Sequence, residues 1–232
     1  MGAAKETKGT RAVRKLTRPL PAGIAGAVNQ LYFELQTWSD NLRGTRKARA
    51  YHGRSGLKLH LGSGTNYKDG WVNVDLSGDV DLTLDLRRSL PLPDNSCRII
   101  FSEHVLEHFE HPEPAGTLVA ECYRLLEPGG MLSLAVPDGE MVLKAYVLGE
   151  SDEYWRILKD HATHGETTPM ELLNYQFRQD GQHRFYYDLE TLAKLLTAKG
   201  FVNVRRREFD PATDTPSRKF GSLYVAAEKP LS

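Results

Sequence analysis

The sequence predicts an α/β protein with a largely parallel sheet. Three observations support this prediction. The apolar run that ends at Leu61 leads directly into Gly62-Ser63-Gly64, a second apolar run ends at Asp75, and a third reaches Asp85. In a parallel α/β sheet, the residues that follow the strands meet at the carboxyl edge, where such folds bind their ligands. We therefore expect these residues to line one crevice.

The spacing within that crevice indicates what it binds. Gly62 and Gly64 allow the backbone to approach a ligand closely, since no side chain intervenes. Asp75 can accept hydrogen bonds from both hydroxyls of a ribose. A dinucleotide site would need a third glycine and an acidic residue about 20 positions further on, but Thr65 follows Gly64 and Asp75 comes much sooner. An adenosyl ligand is therefore favoured over a nicotinamide dinucleotide, and an oxidoreductase is the weaker alternative.

Periodicity and turn residues predict the other elements in chain order. An apolar stripe at helical spacing predicts an N-terminal helix that packs on the core over one edge of the sheet. That stripe consists of Ile24, Val28, Leu31, Leu35 and Trp38. Strands are predicted at 57–61, 71–75, 80–84, 97–102 and 131–136, with a helix at 113–126.

The C-terminal part of the chain is predicted to return to the sheet. Residues 139–180 are expected to be mostly helical. Asp188 is the predicted N-cap of the next helix and Gly200 its C′ residue. Strands near 201–209 and 221–228 are expected to close the sheet.

Several segments together resemble class I S-adenosylmethionine-dependent methyltransferases. They are Gly62-Ser63-Gly64, Gly70-Trp71-Val72-Asn73-Val74-Asp75, Leu90-Pro91-Leu92-Pro93-Asp94, Arg124 to Gly130, and Pro137-Asp138. The short first loop is similar to a subgroup of sugar and small-molecule O-methyltransferases. The resemblance covers residues 57–140 closely and 188–228 more loosely. It implies a Rossmann-like class I fold: a seven-stranded, mostly parallel sheet with an antiparallel last strand and helices on both faces.

The resemblance also implies which residues bind S-adenosylmethionine. They follow strands one to four, and those after the fourth strand should border the methionine end. The implied cofactor residues are Leu61, Gly62, Ser63, Gly64, Asp75, Leu76, Asp85, Leu86, Glu103 and His104. One departure is His60, which stands where many relatives carry an acidic residue, so a contact from position 60 to the methionyl amino group is not expected.

The segment His104-Val105-Leu106-Glu107-His108 carries the sharpest chemical signal. If it is helical, His104, Glu107 and His108 share one face. Two imidazoles and a carboxylate can bind a divalent metal such as Mg²⁺, and the spacing resembles a metal motif of some O-methyltransferases. The alternatives are a metal-free general base and a structural role. The catalytic candidates are His108 and, from the later segment before Asp188, His183.

Composition indicates how the chain is organised. Residues 1–22 are predicted to form a basic, disordered tail, and residues 23–232 one methyltransferase domain with a helical lid at 139–187. The aromatic residues and histidines of the lid suit acceptor contacts, and the alternative is ordinary packing between a pair of helices. They are Tyr154, Trp155, His161, His164, Tyr175 and His183. Cys97 and Cys122, both within apolar runs, predict small core residues in a reducing compartment.

Charge and hydropathy restrict the partners. The formal net charge is zero, so no nucleic acid is expected as a partner, although a basic face around Arg205, Arg206 and Arg207 would favour one. No run approaches the ~18 apolar residues of a membrane span. These features predict a cytoplasmic protein.

The sequence therefore predicts an S-adenosylmethionine-dependent O-methyltransferase (EC 2.1.1 class). The expected acceptor is a hydroxyl of a small polar molecule, most consistent with a sugar, oligosaccharide or glycoside, as in polysaccharide biosynthesis. Alternative acceptors are a phenol or quinone, RNA, or protein. A non-catalytic S-adenosylmethionine-binding module is a remoter alternative, and a homodimer is considered as the assembly.

Overall fold

The computed structural model describes residues 13, 15–149, 152–159, 162 and 165–231. The strands are β1 (Leu57–Leu61), β2 (Val72–Asp75), β3 (Leu82–Thr83), β4 (Cys97–Glu103), β5 (Leu126–Pro137), β6 (Val202–Arg206) and β7 (Ser222–Glu228). The α-helices are α1 (Ala22–Ala48), α2 (Ala115–Leu125), α3 (Gly139–Leu148), α4 (Asp152–Lys159), α5 (Pro169–Arg178) and α6 (Leu189–Ala198).

The seven strands form one sheet in the order β3-β2-β1-β4-β5-β7-β6. The pairs from β3 to β5 are parallel, whereas β7 runs antiparallel to both β5 and β6. The predicted fold class is therefore confirmed, including the antiparallel final strand. Because the chain moves outward from β1 to β3 and then resumes at β4 on the other side, the strand order reverses between β1 and β4. That reversal places a ligand crevice at their carboxyl ends.

The centre of the sheet is apolar because its parallel strands are covered on both sides. Leu59, Leu61, Val74 and Ile100 are fully buried. Cys97 and Cys122 are free thiols inside this core, as predicted. Strand β5 begins five residues earlier than expected, because Leu126 pairs with Cys97 before the ladder shifts register.

Helix α1 forms where it was predicted, but its apolar stripe does not pack on the core. The helix contacts β3 through a different face, whose buried members are Thr37, Gly44 and Ala48. A Cβ at Gly44 would lie 2.0 Å from the carbonyl oxygen of Thr83, so only glycine allows this close approach. The predicted core packing of the stripe is therefore wrong, and the stripe itself is exposed.

Helices α3, α4 and α5 form the predicted helical stretch after β5. They enclose a second apolar cluster that includes Val142, Tyr154, Trp155 and Leu172. Helix α6 then begins at the predicted N-cap, where the Asp188 side chain accepts a hydrogen bond from the Thr191 amide. The backbone of Tyr187 also pairs beside the end of β5, so the chain returns from these helices directly to the carboxyl edge.

Two further predictions meet the limits of the described residues. Most of the predicted N-terminal tail lies outside them, as do His161 and His164. Among the helices that are described, none combines the length and the apolar character that crossing a membrane requires.

Candidate functional site

The glycine turn lies at the carboxyl edge of β1, next to Asp75 at the end of β2. The Gly64 amide donates a 2.8 Å hydrogen bond to one carboxylate oxygen of Asp75, and the Ser77 amide donates a 3.1 Å bond to the other. The amides of Gly62 and Ser63 both donate to the carbonyl of Val74. The turn is thereby fixed against β2 before any ligand binds.

The two glycines have different surroundings. Both have positive φ, +68° at Gly62 and +52° at Gly64. A Cβ at Gly62 would lie 2.1 Å from a methyl group of Val105, whereas a Cβ at Gly64 would meet no atom within 4 Å. Gly62 is therefore required for packing against the segment after β4. Gly64 instead leaves open space where a ligand can approach the backbone.

The short loop between β1 and β2 is held by Asn73, a role that the sequence analysis missed. The buried side chain of Asn73 accepts a 2.9 Å hydrogen bond from the Lys68 amide and donates one of 3.0 Å to the Lys68 carbonyl. Its Oδ1 also lies 3.1 Å from Nδ1 of His60. Burial lowers the pKa of His60 to about 4, so position 60 is a neutral support of this loop.

Asp85 follows β3, and its carboxylate is engaged by neighbouring arginines. Both oxygens accept 2.9 Å hydrogen bonds from the Arg87 guanidinium, and Arg88 approaches to 3.5 Å. Arg87 also reaches Glu34 of α1 at 2.8 Å. Burial favours the neutral carboxyl, but the hydrogen bonds and charge of Arg87 outweigh it and lower the pKa of Asp85. The side chain of Leu86 is 7% exposed and belongs to the core.

Glu103 ends β4 at the strand reversal and is tied to a segment more than a hundred residues away. Its buried carboxylate accepts hydrogen bonds from the amide and hydroxyl of Thr215 and lies 3.5 Å from the guanidinium of Arg218. Asn66 of the first loop also donates to the Thr215 hydroxyl at 2.9 Å. Thr215 and Arg218 therefore close one side of the crevice, and no local spacing in the sequence could have revealed them.

The segment after β4 is not the continuous helix considered from the sequence. His104 has a left-handed backbone with φ of +56°, and only Leu106–His108 forms a single 3-10 turn. His104 Nδ1 lies 3.7 Å from Oε1 of Glu107, while its Nε2 lies 2.8 Å from the hydroxyl of Ser222 on β7. The bend therefore directs Nε2 of His104, the outer nitrogen of the ring, toward β7.

Glu107 is the most unusual group in the molecule. Its side chain is 0% exposed, and among the described residues neither carboxylate oxygen has a hydrogen-bond partner. Burial raises the pKa of Glu107 to about 8. A buried carboxyl group, charged or neutral, normally has a hydrogen-bond or metal partner, so the lack of one among the described residues makes Glu107 a candidate functional group.

His108 and His183 face each other beside Glu107. Their ring centroids lie 5.1 Å apart, and Nε2 of His108 is 3.9 Å from Oε1 of Glu107. Nδ1 of His108 lies 3.0 Å from the carbonyl of Gln182, and Nδ1 of His183 lies 2.7 Å from that of Gln176. Because a carbonyl oxygen only accepts, each Nδ1 must carry the proton, and each Nε2 then presents a lone pair.

Burial also keeps these imidazoles neutral. It lowers the pKa of His108 below its usual value and that of His183 to about 4. One ligand atom from each of Glu107, His108 and His183 lies within 4.8 Å of the other two. The structure thus joins Glu107 and His108 of the predicted cluster to His183, whereas the predicted shared face with His104 depended on a helix that does not form.

The aromatic residues expected in a lid are largely used in packing. Tyr154 and Trp155 are each 9% exposed, and Tyr154 packs at 5.2 Å between ring centroids against Phe220. Tyr186 stacks on Phe177 at 4.3 Å and contacts His183 at 5.9 Å. The ring of Tyr186 is therefore the aromatic surface next to the histidine pair.

Comparison with known proteins gives one family match. Residues 68–134 match the family described as a methyltransferase domain, a span from the first loop to the middle of β5. No curated protein matches the chain.

Solved structures of methyltransferases are similar at low identity. An S-adenosylmethionine-dependent methyltransferase from Archaeoglobus fulgidus is 17% identical with a TM-score of 0.48, over 81% of this chain and 93% of that one. The 1,6-didemethyltoxoflavin-N1-methyltransferase of Burkholderia thailandensis is 18% identical with a TM-score of 0.44, over 83% and 80%. The CurJ carbon methyltransferase is 15% identical with a TM-score of 0.45, over 77% of this chain and 50% of that one. The chain thus spans about half the length of the CurJ protein, and likenesses this distant do not indicate an acceptor.

The family match covers β2 with its acidic end and all of β4, whereas β1 and the glycine turn precede it. The open face of Gly64 and the carboxylate of Asp75 fit the methionine and ribose parts of S-adenosylmethionine. Residues 68–134 thus match a methyltransferase domain, and the strand order and this crevice agree with the class I S-adenosylmethionine-dependent methyltransferase that the sequence predicts.

Proposed function

We propose that this methyltransferase transfers the methyl group to a hydroxyl of a small polar acceptor, and that the acceptor is a sugar or glycoside. The observation that carries the proposal is the cluster formed by Glu107, His108 and His183. Two neutral imidazoles there present Nε2 lone pairs beside a buried carboxylate. Such a cluster suits an alcohol, which must lose a proton as it attacks.

The position of the cluster close to the glycine turn supports this role. Val105 packs directly on Gly62 of the glycine turn and is two residues from Glu107. S-adenosylmethionine supplies a methyl group on a sulfonium, whose departure leaves a neutral thioether. The protein therefore needs mainly to position the hydroxyl, exclude water and accept its proton. We assign the last role to Nε2 of His108 or His183.

The polarity of the cluster supports a hydroxylated acceptor. A carboxylate and two imidazoles can hydrogen-bond several hydroxyl groups, and the partly buried ring of Tyr186 lies beside His183. Tyr154 and Trp155 are buried against other rings, which leaves less aromatic surface than a flat phenol or quinone would use.

A nucleic acid acceptor is disfavoured by the pairing of the basic run Arg205-Arg206-Arg207 at the end of β6. Arg205 pairs with Glu228 at 2.8 Å, Arg206 with Asp138 at 3.3 Å, and Arg207 with Asp214 at 2.6 Å. Arginines neutralised in this way add little to phosphate binding, which depends on the release of counterions by unpaired charges. The proposed partner is therefore a small molecule. The free thiols of the core support a cytoplasmic location of the protein.

The proposal is tested by methyl transfer from labelled S-adenosylmethionine to a panel of monosaccharides, glycosides, a catechol and an aliphatic amine. We expect a sugar product whose new methyl group is on oxygen, as mass spectrometry and NMR would show. His108→Ala or His183→Ala should lower the turnover by roughly 10²-fold or more, the lower range for loss of a proton acceptor. Both variants should retain their affinity for S-adenosylhomocysteine.

The exposed His52 provides the matched control, since His52→Ala should leave turnover unchanged. Transfer only to the amine would overturn the hydroxyl acceptor. Transfer to the catechol but to no sugar would overturn the sugar assignment alone. Full activity of both cluster variants would remove the histidines from the reaction.

A further inference from the structure

We infer that Glu107, His108 and His183 form a binding site for one divalent transition-metal ion. This inference deepens the proposed function, because the ion would act at the same cluster. It can be tested separately, since metal binding is measurable without any acceptor. The set differs from the one read from the sequence: His183 replaces His104.

The carboxylate provides the first argument. Glu107 is fully buried, and none of the described residues hydrogen-bonds either of its oxygens. The nearest imidazole nitrogens, those of His104 and His108, lie 3.7 and 3.9 Å from Oε1, too far for hydrogen bonds. A buried carboxylate usually has a partner, and coordination of a metal is one way to supply it.

The orientation of the histidines is the second argument. Metal-binding histidines almost always donate their other ring N–H to a carbonyl or carboxylate, which fixes the tautomer and aims the ligand nitrogen. His108 and His183 both have this arrangement, through Gln182 and Gln176. The three ligand atoms lie within 4.8 Å of one another, a separation that ligands of one ion at about 2.0–2.2 Å can reach with small rotations.

The ligand types decide which ion fits. Two imidazoles and one carboxylate suit Zn²⁺, Mn²⁺, Co²⁺ or Fe²⁺, whereas Mg²⁺ prefers oxygen ligands and retains its waters. The set leaves coordination positions open, and the His108 side chain is 33% exposed, which gives an acceptor access. With an ion bound, the ion would take over activation of the hydroxyl from the free imidazoles.

Titration of the chelator-treated, full-length protein with Co²⁺ and with Zn²⁺ tests the site. Calorimetry should give one equivalent bound with an affinity in the micromolar range or tighter, and Co²⁺ should produce visible absorption bands. Mg²⁺ at millimolar concentration should not displace Zn²⁺. Glu107→Gln and His183→Gln should each weaken Zn²⁺ binding by about 10-fold or more.

His104→Gln is the matched control, because the outer nitrogen of His104 faces Ser222 and should not be needed for binding. Circular dichroism of each variant shows whether it folds. Stoichiometric binding that survives in Glu107→Gln and His183→Gln would overturn the site, as would the absence of binding to the wild type. If His104→Gln loses Zn²⁺ binding and His183→Gln keeps it, the ligands are His104, Glu107 and His108, as predicted from the sequence.

A second inference rests on the exposed stripe of α1. We propose that two copies of the chain dimerise through this face as an antiparallel helix pair. The stripe consists of Ile24, Val28, Leu31, Leu35, Trp38 and Leu42, each between 38% and 62% exposed. Their spacing alternates between four and three residues, a repeat with which one helix can pack against another.

The order of side-chain sizes favours the antiparallel arrangement. If Leu31 of one copy faces Leu35 of the other, Val28 faces Trp38 and Ile24 faces Leu42. Each layer then combines side chains that fill a similar total volume, whereas a parallel pair would place Trp38 against Trp38. Two such faces bury on the order of 1,000 Å² in total, about the minimum for a specific interface.

The dimer is tested by light scattering and sedimentation of the full-length protein. We expect a dimer at micromolar concentration, and a monomer for the double variant Leu31→Glu, Leu35→Glu. Phe33→Glu is the control, because Phe33 is exposed on the same helix but lies off the stripe. A monomeric wild type would overturn the proposal.

Orientation has its own test. Copies with Ile24→Cys and copies with Leu42→Cys, mixed together, should be joined by a short bis-maleimide only if the pair is antiparallel. The native cysteines do not interfere, because Cys97 and Cys122 are buried. Cross-linking of the Leu42→Cys copies with each other, and not with the partner variant, would overturn the antiparallel arrangement.

Discussion

The backbone amide of Gly64 donates a 2.8 Å hydrogen bond to the carboxylate of Asp75. The carboxylate that we predict to hold the ribose of S-adenosylmethionine therefore also holds the glycine turn over which the methionine would lie. A turn fixed in this way loses less freedom on binding, which favours affinity. Loss of Asp75 should thus weaken binding twice, through the ribose and through the turn.

Asp75→Ala should weaken the binding of S-adenosylhomocysteine by ~1.5–3 kcal/mol, the range for hydrogen bonds to a charged group. Calorimetry measures this change. Asp79→Ala, an exposed carboxylate on the following loop, should have no effect. An unchanged affinity of Asp75→Ala would refute its assignment to the ribose.

Alanine should affect mainly cofactor binding at Gly64 and mainly stability at Gly62. Gly64→Ala should abolish cofactor binding, because the new side chain would enter the open space that the ligand needs. It should lower the free energy of unfolding by only about 1 kcal/mol, since only the positive φ is unfavourable. Gly62→Ala should lower the stability more, since its Cβ would collide with Val105. Calorimetry and urea unfolding separate the effects, and tight binding by Gly64→Ala would contradict the close approach.

Acid should weaken the fold partly through Asp85. Arg87 outweighs burial and lowers the pKa of Asp85 in the folded protein, so this pair stabilises the fold above the unfolded pKa of about 3.9. That stabilisation is lost as the pH falls through the lower folded value. The free energy of unfolding of Asp85→Asn should therefore decline less steeply below about pH 4 than that of the wild type. Asp79→Asn should follow the wild type, and parallel curves for Asp85→Asn would contradict the linkage.

The contacts of Glu103 with Thr215 and Arg218 should stabilise the fold. Glu103→Ala should lower the free energy of unfolding by about 1.5–3 kcal/mol, because both residues would lose a buried charged partner. Urea denaturation measures it. The segment at Thr215 should also become more accessible to protease when folded. Replacing the exposed Glu208 by alanine should change neither quantity, and equal stability of the two variants would show that the buried carboxylate contributes nothing.

The sequence by itself determined the sheet and the loops at the edge where we predict the cofactor site. Local features decide both: Gly62 and Gly64 follow an apolar strand, Asp75 ends the next, and Asp188 caps a helix at its first residue. Interactions of this kind depend on neighbours a few residues apart, so their spacing is visible along the chain.

Only the tertiary structure decided the composition of the cluster and the environment of α1. His183 meets Glu107 because the helices after β5 fold back to the carboxyl edge. His104 has a left-handed backbone and places its Nε2 against Ser222 of β7. The stripe of α1 has the periodicity of a core helix, yet Gly44 directs a different face to β3. Periodicity shows that a helix has an apolar face, but which surface covers that face depends on contacts between residues far apart in the sequence.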